Sequence, residues 1–247
     1  MQGAVRIGCA GWTLPADVAP QLPAGDSHLA RYAQVFPCSE INSSFHRPHR
    51  ASTWQRWAAS VPPGFAFSAK LPKTITHERR LLDCGALLDE FLAQANGLGA
   101  SLACLLVQMP PSFAFDADVA RAFFSGLRSR WELQVAAEPR HATWFGAEAD
   151  ALLRDMRIAR VLADPVRHPE GGQPGGWHGL TYLRLHGTPR MYYSSYPQAQ
   201  LEALAQRIAQ QAATGSEVWC IFDNTASGAA AGDALQLQRL LVQTKGG

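Results

Sequence analysis

"LQVAAEPRHATWF", residues 133–145, runs from an apolar stretch straight into Glu138, Arg140 and His141. Charged groups are costly to bury unless paired, so a strand that ends this way must deliver them somewhere useful. Alternate strand residues point to opposite faces. Leu133, Val135 and Ala137 therefore share one face, and Gln134, Ala136, Glu138 and Arg140 share the other. Seven similar runs surround this one: VRIGCAG (5–11), SEINSSF (39–45), FAFSAKL (65–71), LACLLVQMP (102–110), IARVLAD (158–164), TYLRLHG (181–187) and EVWCIFDN (217–224). Segments of helical period separate most of them, among them LLDEFLAQANGLG, ADVARAFFSGLRSRW and AQLEALAQRIAQQAATG. Strand alternating with helix predicts a parallel α/β sheet, and eight units in 247 residues predict a (β/α)8, TIM-barrel-like fold in a single domain spanning 1–247. The Gly- and Pro-rich "PVRHPEGGQPGGWHG" (165–179) reads as a loop in place of a helix, an irregularity between strands six and seven.

Composition narrows the function classes. With 47% hydrophobic and 17% charged residues and a net charge of +2, the chain is an ordinary globular one with no basic block to bind nucleic acid along its length. Its longest apolar runs fall well short of the ~20 residues of a membrane span, and its start, MQGAVRIGCAGW, lacks the charge and apolar pattern of a signal peptide, so a cytoplasmic location without a membrane partner is expected. Cys9, Cys38, Cys84, Cys104 and Cys220 are widely spaced and form no C-x-x-C pair, which predicts buried thiols rather than disulfides or a zinc knuckle.

The same parity count turns polar residues inward near the end of other strands. Glu40 and Asn42 oppose Ile41, Ser68 and Lys70 oppose Phe67 and Ala69, and Tyr182, Arg184 and His186 oppose Leu183 and Leu185. Other strands end at Gln108, Asp164 and Asp223–Asn224. In barrels of this type the C-terminal strand ends build the active site. The expected catalytic set is thus Glu40, Lys70, Glu138, Arg140, Asp164 and His186. The expected substrate-binding set is Asn42, Gln108, His141, Arg184, Arg190, Tyr193, Asp223, Asn224 and Thr225, because "HGTPRMYYSSY" (186–196) is rich in donors and "DNTASG" (223–228) leads into a helix N-terminus suited to an anion. Glu138 is expected within reach of Arg140, Arg184, His186 or Lys70, in a cleft open to solvent. His46 and His49 in their Pro-containing turn are read as solvated, and Trp54 and Trp57 as core.

Long motifs then carry a resemblance. "SEINSSFHRPHR", "FAFSAKLPKTITH", "LLVQMPPSF", "AAEPRHATWF", "LRLHG" and "CIFDNTASGAAAGDALQL" are similar to signatures of the YecE-like family, a widespread domain of unknown function, across nearly the whole chain. The resemblance implies a TIM-barrel-like fold, conjecturally akin to metal-dependent endonuclease barrels. His46 stands where the family has an aromatic residue, and Asp223 and Asp233 where it has asparagines.

Two function classes fit this pattern. One is an enzyme, a hydrolase or phosphoesterase, acting on a phosphoester, phosphosugar or nucleic-acid strand: Arg140, Arg184 and Lys70 clamp oxyanions, Glu40, Glu138 or Asp164 serve as general base or ligand to a divalent metal, and His186 serves as acid or ligand. The other is a non-catalytic binder of nucleic acid or a phosphorylated metabolite through Arg47, Arg50, Arg190, Tyr192 and Tyr193. A weaker third is Schiff-base chemistry at Lys70. Substrate, metal and oligomeric state are not fixed by the sequence.

Overall fold

In the computed structural model, which describes residues 2–245, strands and helices alternate as the periodicities require. The strands are β1 (Val5–Ala10), β2 (Cys38–Ile41), β3 (Ala66–Lys70), β4 (Leu102–Gln108), β5 (Gln134–Glu138), β6 (Ala159–Arg160), β7 (Leu162–Asp164), β8 (Gly175–Gly176), β9 (Leu180–Leu185) and β10 (Glu217–Phe222). The helices are α1 (His28–Tyr32), α2 (Ala51–Ala59), α3 (Gly85–Ala95), α4 (Ala117–Arg128), α5 (Ala147–Asp155), α6 (Gln198–Ala213) and α7 (Ala229–Lys245).

Pairing runs parallel from β1 through β5 to β6, and from β7 through β9 and β10 back to β1. Only Val161 separates β6 from β7, so these two pieces are one barrel strand, the sixth, paired to β5 by its first half and to β9 by its second. The parallel sheet is thereby a nearly closed barrel. Residues 165–179 carry no α-helix; they contribute β8, antiparallel to β6. The sixth helix of the regular plan is missing where the glycines and prolines predicted it.

Each helix turns an apolar stripe toward the sheet. In α4, Asp116 caps the N-terminus by accepting from the Asp118 and Val119 amides, and the buried residues Ala120, Phe123, Phe124 and Leu127 follow helical spacing. Burying such side chains stabilises by about 1.5–3 kcal/mol for each large one. The outer core between helices and sheet takes one set of alternate residues from each strand, such as Ile41, Phe67, Leu105, Val135 and Leu183. A smaller core inside the barrel takes the alternates, among them Cys38, Cys104, Leu106, Ala136, Tyr182, Trp219 and Ile221. The five cysteines are free and buried, and Trp54 is core. At Gly8 the first strand leaves no room for a side chain, since a Cβ there would meet the Cys38 carbonyl oxygen at 2.1 Å. Among the described residues, no helix is long and apolar enough to cross a membrane.

Candidate functional site

Parity delivers Glu40, Glu138 and Arg184 to one level of the barrel interior, and all three are essentially without exposure. Arg184 sits among three carboxylates. Its Nε and Nη2 donate to Glu40 Oε2 and Oε1 at 3.0 and 2.5 Å, its Nη1 to Glu138 Oε2 at 2.7 Å, and its Nη2 also to Asp223 Oδ2 at 3.0 Å. Below them Tyr182 donates to Glu40 Oε2 at 2.9 Å, which leaves the phenol oxygen to accept from Ser68 at 2.7 Å. Charge-assisted bonds of this kind are what makes a buried ionic layer tolerable.

Above that level lie Arg140, His186, Asp223 and Lys70. Arg140 Nη2 pairs with Glu138 Oε1 and lies 3.1 Å from His186 Nε2. His186 Nδ1 donates to Asp223 Oδ2 at 3.0 Å, while its Nε2 is 3.2 Å from Glu138 Oε1. That nitrogen has two uses: protonated it donates to Glu138, and unprotonated it accepts from Arg140. Burial opposes the imidazolium, but Asp223 and Glu138 outweigh it and hold the His186 pKa above its ordinary value. For Glu138, burial favours the neutral acid, yet Arg184 and Arg140 keep its pKa well below the usual carboxylate range. Asp223 is likewise lowered against its burial, by Arg184, His186 and Lys70. Lys70 differs from the other cations. Its Nζ lies 4.1 Å from the centre of the Phe45 ring, and among the described residues it has no ion pair or hydrogen bond. Burial and Arg184 lower its pKa to about 8, against the pull of Glu40, Glu138 and Asp223.

The cluster therefore gathers Glu40, Lys70, Glu138, Arg140, Arg184, His186 and Asp223. Asn42 joins at its edge, where its Nδ2 donates to Asp223 Oδ1 at 3.3 Å and its Oδ1 is buried without a partner. Gln108 is half-buried beside Glu138 in the β4–β5 register. Other expected residues lie elsewhere. Asp164 accepts from Thr188 Oγ1 at 2.9 Å and Tyr196 OH at 2.7 Å, pinning the loop after β9. Parity is the reason: Ala159 and Val161 pack inside the barrel and Ile158 and Leu162 outside, so Asp164 falls on the outer face. His141 caps the turn Ala142–Phe145 by accepting from the Thr143 amide. Asn224 donates to the Ser194 carbonyl at 2.9 Å and to Asp233 Oδ2 at 2.6 Å, and Asp233 also accepts from Ser195 Oγ and the Tyr196 amide. Thr225 is exposed, and so is Arg190, whose guanidinium stacks on Tyr193 at 3.9 Å.

The expectation of an open cleft beside Glu138 is corrected: its carboxylate is enclosed by Arg184, Arg140 and His186 and has no exposure. Reach to those partners is as expected, but the solvent-facing groups are Lys70, Arg140 and Asp223, each 6–7% exposed. Sequence reasoning also left out Phe45, which faces Lys70, and His77, whose pKa is lowered by burial and by Lys70 and Arg140. Both stand inside quoted motifs, and neither has the inward strand parity that singled out the rest.

A divalent cation would need these carboxylates and the imidazole as ligands. Each of them instead faces the Arg184 guanidinium or a neighbour bonded to it, and among the described residues no group of three or more His, Cys, Asp or Glu could hold a metal. The arrangement does not fit a divalent ion.

The family model described as "Protein of unknown function DUF72" matches residues 6–247. The chain belongs to the DUF72 family. It is similar to UPF0759 protein YecE of Escherichia coli K12, at 28% identity over 166 residues, and this match covers 65% of the chain but only 59% of that protein. It is also similar to UPF0759 protein YunF of Bacillus subtilis, at 23% identity over 96% of this chain and 94% of that one. Two solved DUF72 structures share the fold. The one from Enterococcus faecalis has a TM-score of 0.82 at 20% identity, covering 96% of this chain and 95% of its own. The one from Thermotoga maritima has a TM-score of 0.78 at 22% identity, covering 97% and 99%.

Proposed function

We propose that this DUF72 chain is an enzyme acting on a phosphate-bearing small molecule, whose anion is received at the barrel mouth by Arg140 with Lys70 beside it. The observation that carries the reading is an imbalance. Arg184 engages all three carboxylates of the cluster, while among the described residues Lys70 Nζ has no ion pair and Arg140 Nε is buried without an acceptor. With His186 protonated, four cations face three anions, and a bound anion would restore neutrality. The His186–Asp223 pair supplies a proton-transfer unit next to that anion, in the manner of general acid–base catalysis.

Thermal unfolding with inorganic phosphate, sugar phosphates and short oligonucleotides tests it. A sugar phosphate at about 100 times its Kd should add roughly 2.7 kcal/mol of stability. Arg140→Met should abolish this shift while keeping the fold, since Glu138 still has Arg184. No shift with any phosphate compound, or no turnover across a phosphoester and phosphosugar panel, would overturn the reading. A second reading, a non-catalytic binder of a nucleic-acid strand, has one observation of its own: Tyr192 and Tyr193 are 40% and 45% exposed next to Arg190, and Tyr192 lies edge-on to His186 at 5.6 Å. It predicts a steep fall of oligonucleotide affinity with salt, and loss of binding in Tyr193→Ala.

A further inference from the structure

The chain has only three lysines, Lys70, Lys73 and Lys245. Lys73 is exposed and pairs with Glu78 at 3.3 Å, as a surface lysine does. Lys70 is instead carried to the barrel mouth, at the end of β3. A residue needed there only for charge would turn to a carboxylate, and Glu40, Glu138 and Asp223 all act on it electrostatically. Yet all three are oriented to Arg184, and the Lys70 amine rests against the Phe45 ring, 7% exposed, with its nitrogen lone pair uncommitted once the proton is gone. Arginine could supply the charge at this position but not a nucleophile at accessible pH.

We propose that Lys70 is a covalent catalyst, whose amine condenses with the carbonyl carbon of an aldehyde or ketone that also bears a phosphate or carboxylate. The inference rests on the anion-receiving reading and deepens it by naming the reacting group of the substrate. The neutral amine attacks the carbonyl carbon, the carbonyl π pair moves to oxygen, and the proton lost by nitrogen ends on that oxygen. The resulting carbinolamine takes a second proton, its oxygen departs as water, and the nitrogen lone pair closes the C=N bond, so amine, carbonyl and one proton give an iminium and water. Asp223, hydrogen-bonded to His186 and acting on Lys70, is the proton relay at hand. Arg140 holds the substrate anion and keeps the carbonyl over the amine. Desolvation beside a second cation is an established way of giving a lysine free amine near neutral pH. The carboxylates and Arg184 beneath, with Arg140 and the His77 imidazole at the rim, complete the surroundings of the amine.

Borohydride reduction in the presence of pyruvate, dihydroxyacetone phosphate or neutral dihydroxyacetone, read by intact mass and peptide mapping, tests the step. The expected result is one reduced adduct on the peptide carrying Lys70, formed at least about tenfold faster than on Lys73, because burial frees the Lys70 amine while Glu78 holds that of Lys73. The adduct should vanish in Lys70→Arg and persist in Lys73→Arg. Absence of a Lys70 adduct with every carbonyl probe, or equal labelling of Lys70 and Lys73 in the unmodified sequence, overturns the proposal without recourse to any variant. Phosphate-induced stabilisation without an adduct would defeat the Schiff base and leave the anion reading standing. A Lys70 adduct formed equally well with dihydroxyacetone and its phosphate would uphold the Schiff base and defeat the anion reading.

Discussion

At the N-terminal end of the barrel, Glu217 accepts from Arg6 Nε, Gln134 Nε2 and Trp219 Nε1 at 2.9, 2.6 and 2.9 Å, and the Arg6 and Glu217 side chains keep 26% of their surface in water. At the C-terminal end, seven ionisable side chains are packed together at 7% exposure or less. Both ends close the barrel with polar groups. The first is a neutral ion pair that a solvated surface tolerates, with the amide oxygen of Gln134 buried and unpartnered. The second holds more charge than closure requires, carries a cationic excess when His186 is protonated, and leaves Arg140 Nε and Asn42 Oδ1 without partners. A plug alone would resemble the first, so the difference marks the second as the end built to meet something else.

Matched substitutions at the two ends break or sharpen this contrast. Glu138→Gln, which strands part of the Arg184 and Arg140 charge in a sealed layer, should cost roughly 3–5 kcal/mol in urea unfolding. Glu217→Gln, at the wetter end, should cost about 1 kcal/mol or less. Equal costs would remove the distinction. A smaller effect concerns pH. Because the His186 pKa is raised in the folded protein, its stabilising share is complete below the ordinary 6.5 and is lost as pH rises through the raised value. Glu138 and Asp223 are lowered, so their share is present above their ordinary range and is lost as pH falls through the depressed values. His186→Gln should therefore flatten the decline of the urea midpoint on the alkaline side and leave the acid limb in place. The smallest change expected is Asp233→Asn, within about 1 kcal/mol. An amide oxygen there can accept from Asn224 and the Tyr196 amide, and its NH2 can donate to Ser195. Burial raises the Asp233 pKa against those three hydrogen bonds, so the same variant should gain slightly on the wild type as pH rises. Denaturation at two pH values checks both.

How much of this was legible in the sequence depends on which residue is asked about. The period-2 alternation places Glu40, Lys70, Glu138 and Arg184 inside the barrel because each stands on a strand, where parity is a geometric rule, and it carries over to His186, the residue after β9. The same rule puts Asp164 outside, on the face of Ile158 and Leu162, because Ala159 and Val161 are the residues that turn inward; standing at a strand end is not enough. The ring order brings Arg184 to Glu40, a partner 144 residues away, and only packing can reveal that it faces three carboxylates at once. Whether Glu138 meets water was equally beyond periodicity, since it depends on how Arg140 and His186 fold over it. Phe45 and His77 lie in turns after strands, where no repeating rule assigns a direction.

Arg184 also has a place in time. A ribosome makes the chain from its N-terminus, so Glu40 and Glu138 are both in existence before the guanidinium that will hold them. Until residue 184 emerges, neither carboxylate has that cation to accompany it out of water, and a buried anion without one is far too costly to form. The upper layer of the barrel must accordingly stay hydrated while the first five strands are synthesised. It can dry only when β9 slots in beside β10, with the last strand completing Asp223 and meeting the first. Drying and ring closure are then a single late event, in which one arginine acts as the latch.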